Sequence, residues 1–402
     1  MINAETIMLY AIPVFFILIG IELLAGLWMQ RKFYRFSDAI ANISCGITQQ
    51  VSGAIFKLLG LGLYLFLYQN ARLFDVPNNW GIYILLFVLI DMLYYWFHRY
   101  SHEINTFWGA HVVHHQSEEY NLSVALRQSA FQGFFSAVFY LPLAIVGFDP
   151  IPFAIINTFQ TLYQFWIHTE AINKLPFWFE YIFNTPSHHR VHHGRNPEYI
   201  DKNHGGTLIV FDRLFGTFEP EHAPVVYGVT KSLGSWNPIW ANFDYYSDLA
   251  KETARIPRFV DKVRLWVDRP GWLPQELGGQ QTVPPCDRET QQKYNVPIPK
   301  GLLWYSLVQF ATMLLGATGF LMMVGKLEIQ HSLLLAGMIL WTAANIGALL
   351  DRKSWAIWSE VMRFVGIPLC IYLIWGLNPV LWGVLGFMGL SGVWMVLLKN
   401  SR

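Results

Sequence analysis

Charge is what this chain most lacks. Only 14% of its 402 residues are Asp, Glu, Lys or Arg and the net charge is +1, against about 25% charged residues in ordinary globular domains. That balance excludes a nucleic-acid partner bound by neutralising phosphates. Cysteine is nearly absent too. Cys45, Cys286 and Cys370 stand far apart, which excludes a disulfide framework, a CxxC zinc site and an iron–sulfur cluster. Nor is the chain short of apolar residues, as disordered segments are: 53% is hydrophobic, with 17 Trp, 19 Tyr and 30 Phe and a mean hydropathy of +0.31. No cationic stretch, short apolar core and small-residue cleavage site precede the first apolar run, so that run is expected to stay as an anchor. What remains is the composition of an all-α polytopic integral membrane protein.

A bilayer core requires about 20 apolar residues per helix. Candidate stretches are Met8–Met29, Gly46–Tyr68, Trp80–Phe97, Gln128–His168 read as two helices about Asp149-Pro150, Leu302–Val324, Ser332–Leu350, Trp358–Trp375 and Val380–Leu398. The expectation is about nine transmembrane helices. Residues 172–300 carry 29 of the 55 charged residues and read as a water-facing insertion. The expected division is an N-terminal membrane block over 1–171, a polar region over 172–273, a linker rich in Gln, Gly and Pro over 274–300, and a four-helix membrane block over 301–402. With the N-terminus outside, Arg31, Lys32, Arg35, Arg99, Arg127, Arg352, Lys353, Lys399 and Arg402 fall on the cytoplasmic side and only Arg72 and Lys326 face out; the insertion and every histidine cluster are then cytoplasmic too. Within the insertion, Ile256, Phe259, Val263, Trp266 and Val267 recur at helical spacing among basic residues. That stretch either lies flat at the lipid headgroups or packs on the insertion's own core.

Thirteen histidines are present, and most are clustered. His98 and His102 form an HX3H pair at the end of the third apolar run. His111, His114 and His115 form an HX2HH triplet, repeated at His189, His192 and His193. Residues at i, i+3 and i+4 share a helix face, so each cluster is expected to aim its rings at one point. Imidazole suits iron, copper and zinc, and eight converging rings could hold two ions. His168, closing the fifth run, is a candidate ninth ligand. Asp91, inside a span and seven residues before His98, is a candidate for holding a ligand ring in place. Glu103, beside His102, is the nearest carboxylate in sequence and a candidate for proton handling. His188 reads as a supporting or structural residue, His204 as either a supporting residue or one without a role, and His222 and His331 as solvent or interface positions.

The HX3H, HX2HH and HX2HH series on membrane helices resembles the fatty acid hydroxylase/sterol desaturase superfamily of non-haem di-iron oxygenases. The strings Glu119–Ser129, Tyr163–Glu170, Asn184–Asn196, Asp201–Gly206, Phe211–Glu219 and Val226–Gly228 look specifically like its alkylglycerol (glyceryl-ether) monooxygenase family. The resemblance spans most of residues 5–270. It implies two iron ions held by His98, His102, His111, His114, His115, His189, His192 and His193, with His168 added by a further histidine box. In that box Gln164 stands where the HX3H partner would be, and His204 stands where the family string has Tyr. The implied chemistry uses O2 and tetrahydrobiopterin to hydroxylate the carbon beside a glyceryl ether oxygen. A lipid from the bilayer would be the substrate, and a pterin-recycling reductase a possible partner. The membrane would be the endoplasmic reticulum in a eukaryote or the inner membrane in a bacterium. The residues alone also admit a sterol, fatty acyl or carotenoid hydroxylase or desaturase, and a membrane metal transporter or sensor.

Overall fold

A computed structural model describes residues 4–400, and all regular structure among them is helical apart from two isolated bridges, Phe183 with Leu208 and Gly194 with Tyr227. Seven helices form the N-terminal part: α1 (Ala4–Trp28), α2 (Phe36–Ala71), α3 (Trp80–Glu103), α4 (Asn105–His115), α5 (Leu122–Ala125), α6 (Gln132–Val146) and α7 (Pro150–Trp166). The polar region holds α8 (Phe177–Ile182), α9 (Pro186–His192), α10 (Val210–Phe215), α11 (Pro238–Arg255) and α12 (Phe259–Val267). The C-terminal part is α13 (Lys300–Met323), α14 (Ile329–Leu350), α15 (Ala356–Trp375) and α16 (Pro379–Asn400).

Every stretch expected to cross the membrane is a helix, but they are not equal in length. Six helices, α1, α3 and α13–α16, are long and apolar enough to cross by themselves, and α2 joins them if its 42° bend is counted within one span. α6 and α7 have 15 and 17 residues, short of the ~20 that a bilayer asks for. They form a hairpin whose tip nonetheless meets the α2–α3 connection, where the Leu73 N–H donates to the Ile145 carbonyl at 2.7 Å. The turn is written locally. Gly147 ends α6 at φ 112°, and a Cβ there would lie 2.0 Å from the Phe74 carbonyl oxygen, so only glycine fits. Asp149 then caps the Ile151 N–H at 2.8 Å, with Pro150 at the first helical position.

Among the described residues, two apolar cores are the largest of those that hold the membrane part. One joins α2 to α13 and α14 through Val51, Phe310, Met313, Ala343 and Ile346. The other joins α2, α3, α6 and α7 through Tyr64, Ile90, Leu143 and Phe153. The polar region is bolted to α14 by Asp351, whose carboxylate accepts the Trp236 N–H at 2.9 Å and the Tyr294 hydroxyl at 3.0 Å. Helix α12 divides its residues between the two expected environments. Leu265 is buried with Ile256 against Leu249 and Leu273, while Phe259, Val260, Val263 and Val267 are exposed.

Candidate metal centre

The centre is assembled where α3 runs out of the apolar layer. α3 stops at Glu103, Ile104 adopts extended backbone (φ −126°), and α4 restarts at once, which folds the His98–His102 turn against the α4 triplet. α9 brings the second triplet. Pro186 opens it, and Asn184 anchors the approach by donating to the Gly205 carbonyl at 2.6 Å. His168 arrives from the last residues after α7. Its neighbour Thr169 donates to Glu22 of α1, which also accepts the Leu122 N–H at 2.8 Å.

Nine histidines meet here, all buried, and they separate into two sets whose ligand atoms lie within 4.8 Å of one another. One set is His98, His102, His111, His115 and His192, and the other is His114, His168, His189 and His193. Each triplet is therefore divided between two points, where a single point of convergence was expected. The reason is helical geometry: at about 100° per residue, i+4 lies about 40° round from i, whereas i+3 lies about 60° round the other way. His111 and His115 thus face one set and His114 the other. The same offset sends His189 and His193 together and His192 across.

The hydrogen bonds behind the rings fix which nitrogen faces inward. Backbone carbonyls of His204, Arg127, Gln164 and Lys202 accept from Nδ1 of His98 (2.8 Å), His114 (2.9 Å), His168 (2.7 Å) and His192 (3.0 Å). The Gln132 amide oxygen lies 3.2 Å from His111 Nδ1. A carbonyl can only accept, so each of these Nδ1 atoms carries the proton and each Nε2 presents a lone pair. Burial keeps the rings neutral: it holds His111 at about 4 and His168 at about 3, and pushes His114, His115, His189, His192 and His193 well below the usual imidazole range.

Lone pairs then point at lone pairs. His114 Nε2 lies 3.1 Å from His168 Nε2, and His98 Nε2 lies 3.0 Å from His111 Nε2. Neither contact can be a hydrogen bond with these tautomers. Two nitrogens each about 2.1 Å from one ion at a right angle would be about 3.0 Å apart. In addition, Nε2 of His102, His192 and His193 is buried without a hydrogen-bond partner among the described residues. Such groups are costly unless they bind something. The donor set fits two metal ions.

Asp91 does not reach an imidazole. Its carboxylate accepts the N–H groups of Thr207 and Leu208, each at 2.8 Å, so it pins the loop that follows His204. Glu103 lies outside both sets and is paired with Arg99 at 3.0 Å. It lines a surface cleft of about 450 Å³ with Tyr100, Arg264, Asp268 and Arg269. His188 packs on Phe218, and His222 is exposed beside Glu219. Two supporting residues were not singled out in the sequence. Arg127, counted there only as a cytoplasmic charge, is buried and donates to the Val113 carbonyl (2.6 Å), Asn42 (3.2 Å) and Gln116 (2.8 Å), which fixes the end of α4. Asp212 accepts the N–H groups of His204 and Gly205, each at 2.7 Å. Its signal was a carboxylate that, with Arg213, interrupts the apolar residues from Leu208 to Phe215.

The fatty acid hydroxylase family model matches residues 83–217, a stretch that contains all nine histidines. An alkylglycerol monooxygenase from Homo sapiens is 38% identical over 375 residues, covering 92% of this chain and 83% of that protein. One from Danio rerio is 38% identical over 366 residues, covering 89% and 81%. An ornithine lipid hydroxylase from Rhizobium tropici is 27% identical over 162 residues, or 38% of this chain and 48% of that one. No solved structure matches.

Proposed function

Because the chain belongs to the alkylglycerol monooxygenase family, we propose that it cleaves the O-alkyl bond of glyceryl ether lipids with O2 and tetrahydrobiopterin. One oxygen atom enters the C–H bond beside the ether oxygen and the other leaves as water, with two electrons from the reduced pterin. The resulting hemiacetal collapses to a fatty aldehyde and a glycerol derivative. The oxidised pterin is returned by a separate reductase. Two iron ions, one in each histidine set, supply the O2-activating redox chemistry when bound. The observation that carries this reading is the pairing of Nε2 lone pairs about 3 Å apart at two adjacent points, in rings whose protons are already committed to carbonyls.

The chain's own residues do the rest. Carbonyls of His204, Arg127, Gln164 and Lys202 orient the rings, and burial keeps water from the oxidant. Exposed Phe177, Trp178 and Tyr181 on α8, and Phe259, Val260 and Val263 on α12, give the polar region an apolar skirt. That skirt suits a region resting on the membrane, where a lipid can be taken from the bilayer without crossing water. The insertion and the centre are assigned to the cytoplasmic side.

Purified protein, assayed for iron and for pterin-dependent O2 uptake, tests the reading. The expected result is about two irons per chain, with aldehyde formed from an alkylglycerol and none from a sterol or a free fatty acid. Full iron loading with turnover of a sterol or acyl chain in place of the ether would overturn the substrate. A stoichiometry near one would overturn the two-ion centre.

A further inference from the structure

A tenth histidine stands at the centre and belongs to neither set. His204 is wholly buried, with 0% exposure. Its ring centroid lies 5.1 Å from that of His102, 5.7 Å from His98 and 5.8 Å from His192. Neither of its ring nitrogens makes a hydrogen bond within ordinary geometric limits among the described residues, and the Asp201 backbone is the one neighbour that acts on the ring as a weak hydrogen-bond partner.

The backbone that carries this ring is fully committed. The His204 N–H goes to Asp212 at 2.7 Å and its carbonyl takes the His98 Nδ1 proton at 2.8 Å. Asn203, at φ 56°, donates to the His188 and Glu219 carbonyls. Gly205 allows the tight return, since a Cβ there would lie 2.4 Å from the Leu208 carbonyl oxygen. A loop so closely determined delivers a ring with two unmatched nitrogens to the edge of the first set. An imidazole buried in that state is costly unless something in the centre takes its proton.

Five rings leave one position of an octahedral ion for an exchangeable ligand. We propose that His204 is a positioning residue that donates its ring N–H to the exchangeable ligand of the ion held by His98, His102, His111, His115 and His192. It is not itself a ring ligand, because its nitrogens fall outside the 4.8 Å cluster that gathers the other five. This inference rests on the two-ion reading above.

The test uses full-length protein in detergent, loaded with iron and oxidised, with azide titrated in and followed by its charge-transfer absorption. Iron content is measured on every sample. His204→Phe keeps the volume and removes the donor. His204→Gln keeps a donor and serves as the second variant. Loss of one hydrogen bond to a charged ligand should weaken azide binding about tenfold in the Phe variant. The Gln variant should stay within about threefold of the unaltered protein, and both should keep about two irons per chain. Azide affinity unchanged in the Phe variant, at full iron loading, would overturn the role. Iron falling toward one per chain in both variants would also overturn it, by making His204 a ligand. Absence of iron from the unaltered protein would instead sink the two-ion reading itself.

Discussion

His192 is the point where the two triplets part company, the one ring of α9 that crosses to the set formed by α3 and α4. Removing it with His192→Ala should drop iron toward one per chain and activity to background, while the protein still inserts, because no lipid-facing residue changes. His222→Ala, at an exposed position outside both sets, should keep activity within about twofold, as for a surface change worth under about 0.5 kcal/mol. His168→Ala takes one of only four rings from the second set. Its iron content should also approach one; two irons retained would show that His168 is not a ligand. Acid should act on the same atoms. Rings such as His111 and His168 are held at about 4 and about 3 by burial, against about 6.5 in the unfolded chain. They are neutral in the fold and protonated when unfolded at low pH. Their contribution is therefore complete above about pH 6.5 and is lost as pH falls toward the folded values, by up to about 1.4 kcal/mol per pH unit per group. Iron should stay bound at pH 7.5 and be released between about pH 6 and 4; metal analysis after equilibration at each pH checks this, and full retention at pH 4 would contradict it.

Among the elements, α13 to α16 carry a feature that hydropathy hides. Glu360 and Arg363 of α15 are both buried and paired at 2.5 Å. Tyr305 and Asn345 also donate to Glu360, and Arg363 reaches Gln309 at 2.5 Å and Thr342 at 3.2 Å. Gln309 donates to Ser391 at 2.9 Å, so one polar knot ties all four helices together. Glu360→Ala would leave a buried guanidinium uncompensated, at a cost of about 3–5 kcal/mol. A clear fall in the midpoint of thermal unfolding in detergent is expected. The double variant Glu360→Leu with Arg363→Leu should recover most of it. If the double variant were as unstable as the single, the knot would matter for its hydrogen bonds and not for its charge.

For the molecule as a whole, the orientation rests on fewer charges than the sequence offered. Arg127 is consumed inside the protein and Arg99 is paired with Glu103. Arg31 is likewise paired with Glu170 and Arg35 with Glu119, so among the described residues Lys32, Arg352 and Lys353 remain as flanking cations. Whether the α6–α7 hairpin crosses fully or only enters, it returns to the side it left, so the insertion keeps its assignment. A reporter fused after about residue 280 should give the cytoplasmic signal, and one in the loop at 325–331 the opposite signal. Equal signals at both positions would mean that the count of crossings is wrong by one.

What the sequence determined by itself is what depends on near neighbours. Runs of apolar residues set the helices, Gly147 with Asp149-Pro150 set the hairpin turn, and the HX3H and HX2HH spacings set which histidines matter. Eight of the nine candidate ligands were legible for that reason, while His168, which lacks an HX3H partner because Gln164 stands there, was legible only from its place at the end of the fifth apolar run. The tertiary structure alone decided the rest, because each such contact joins residues far apart in the chain. The division of each triplet between two points needed α3, α4, α7 and α9 brought together. The carbonyls that lock the tautomers come from loops, and every backbone looks alike in sequence. Asp91 meets Thr207 and Leu208, not a histidine. Glu360 and Arg363 show their i,i+3 spacing to any reader, but their partners on α13 and α14 do not. His204 takes its place through a loop whose shape is dictated by Asp212 and Asn203, and no local period could have put it there.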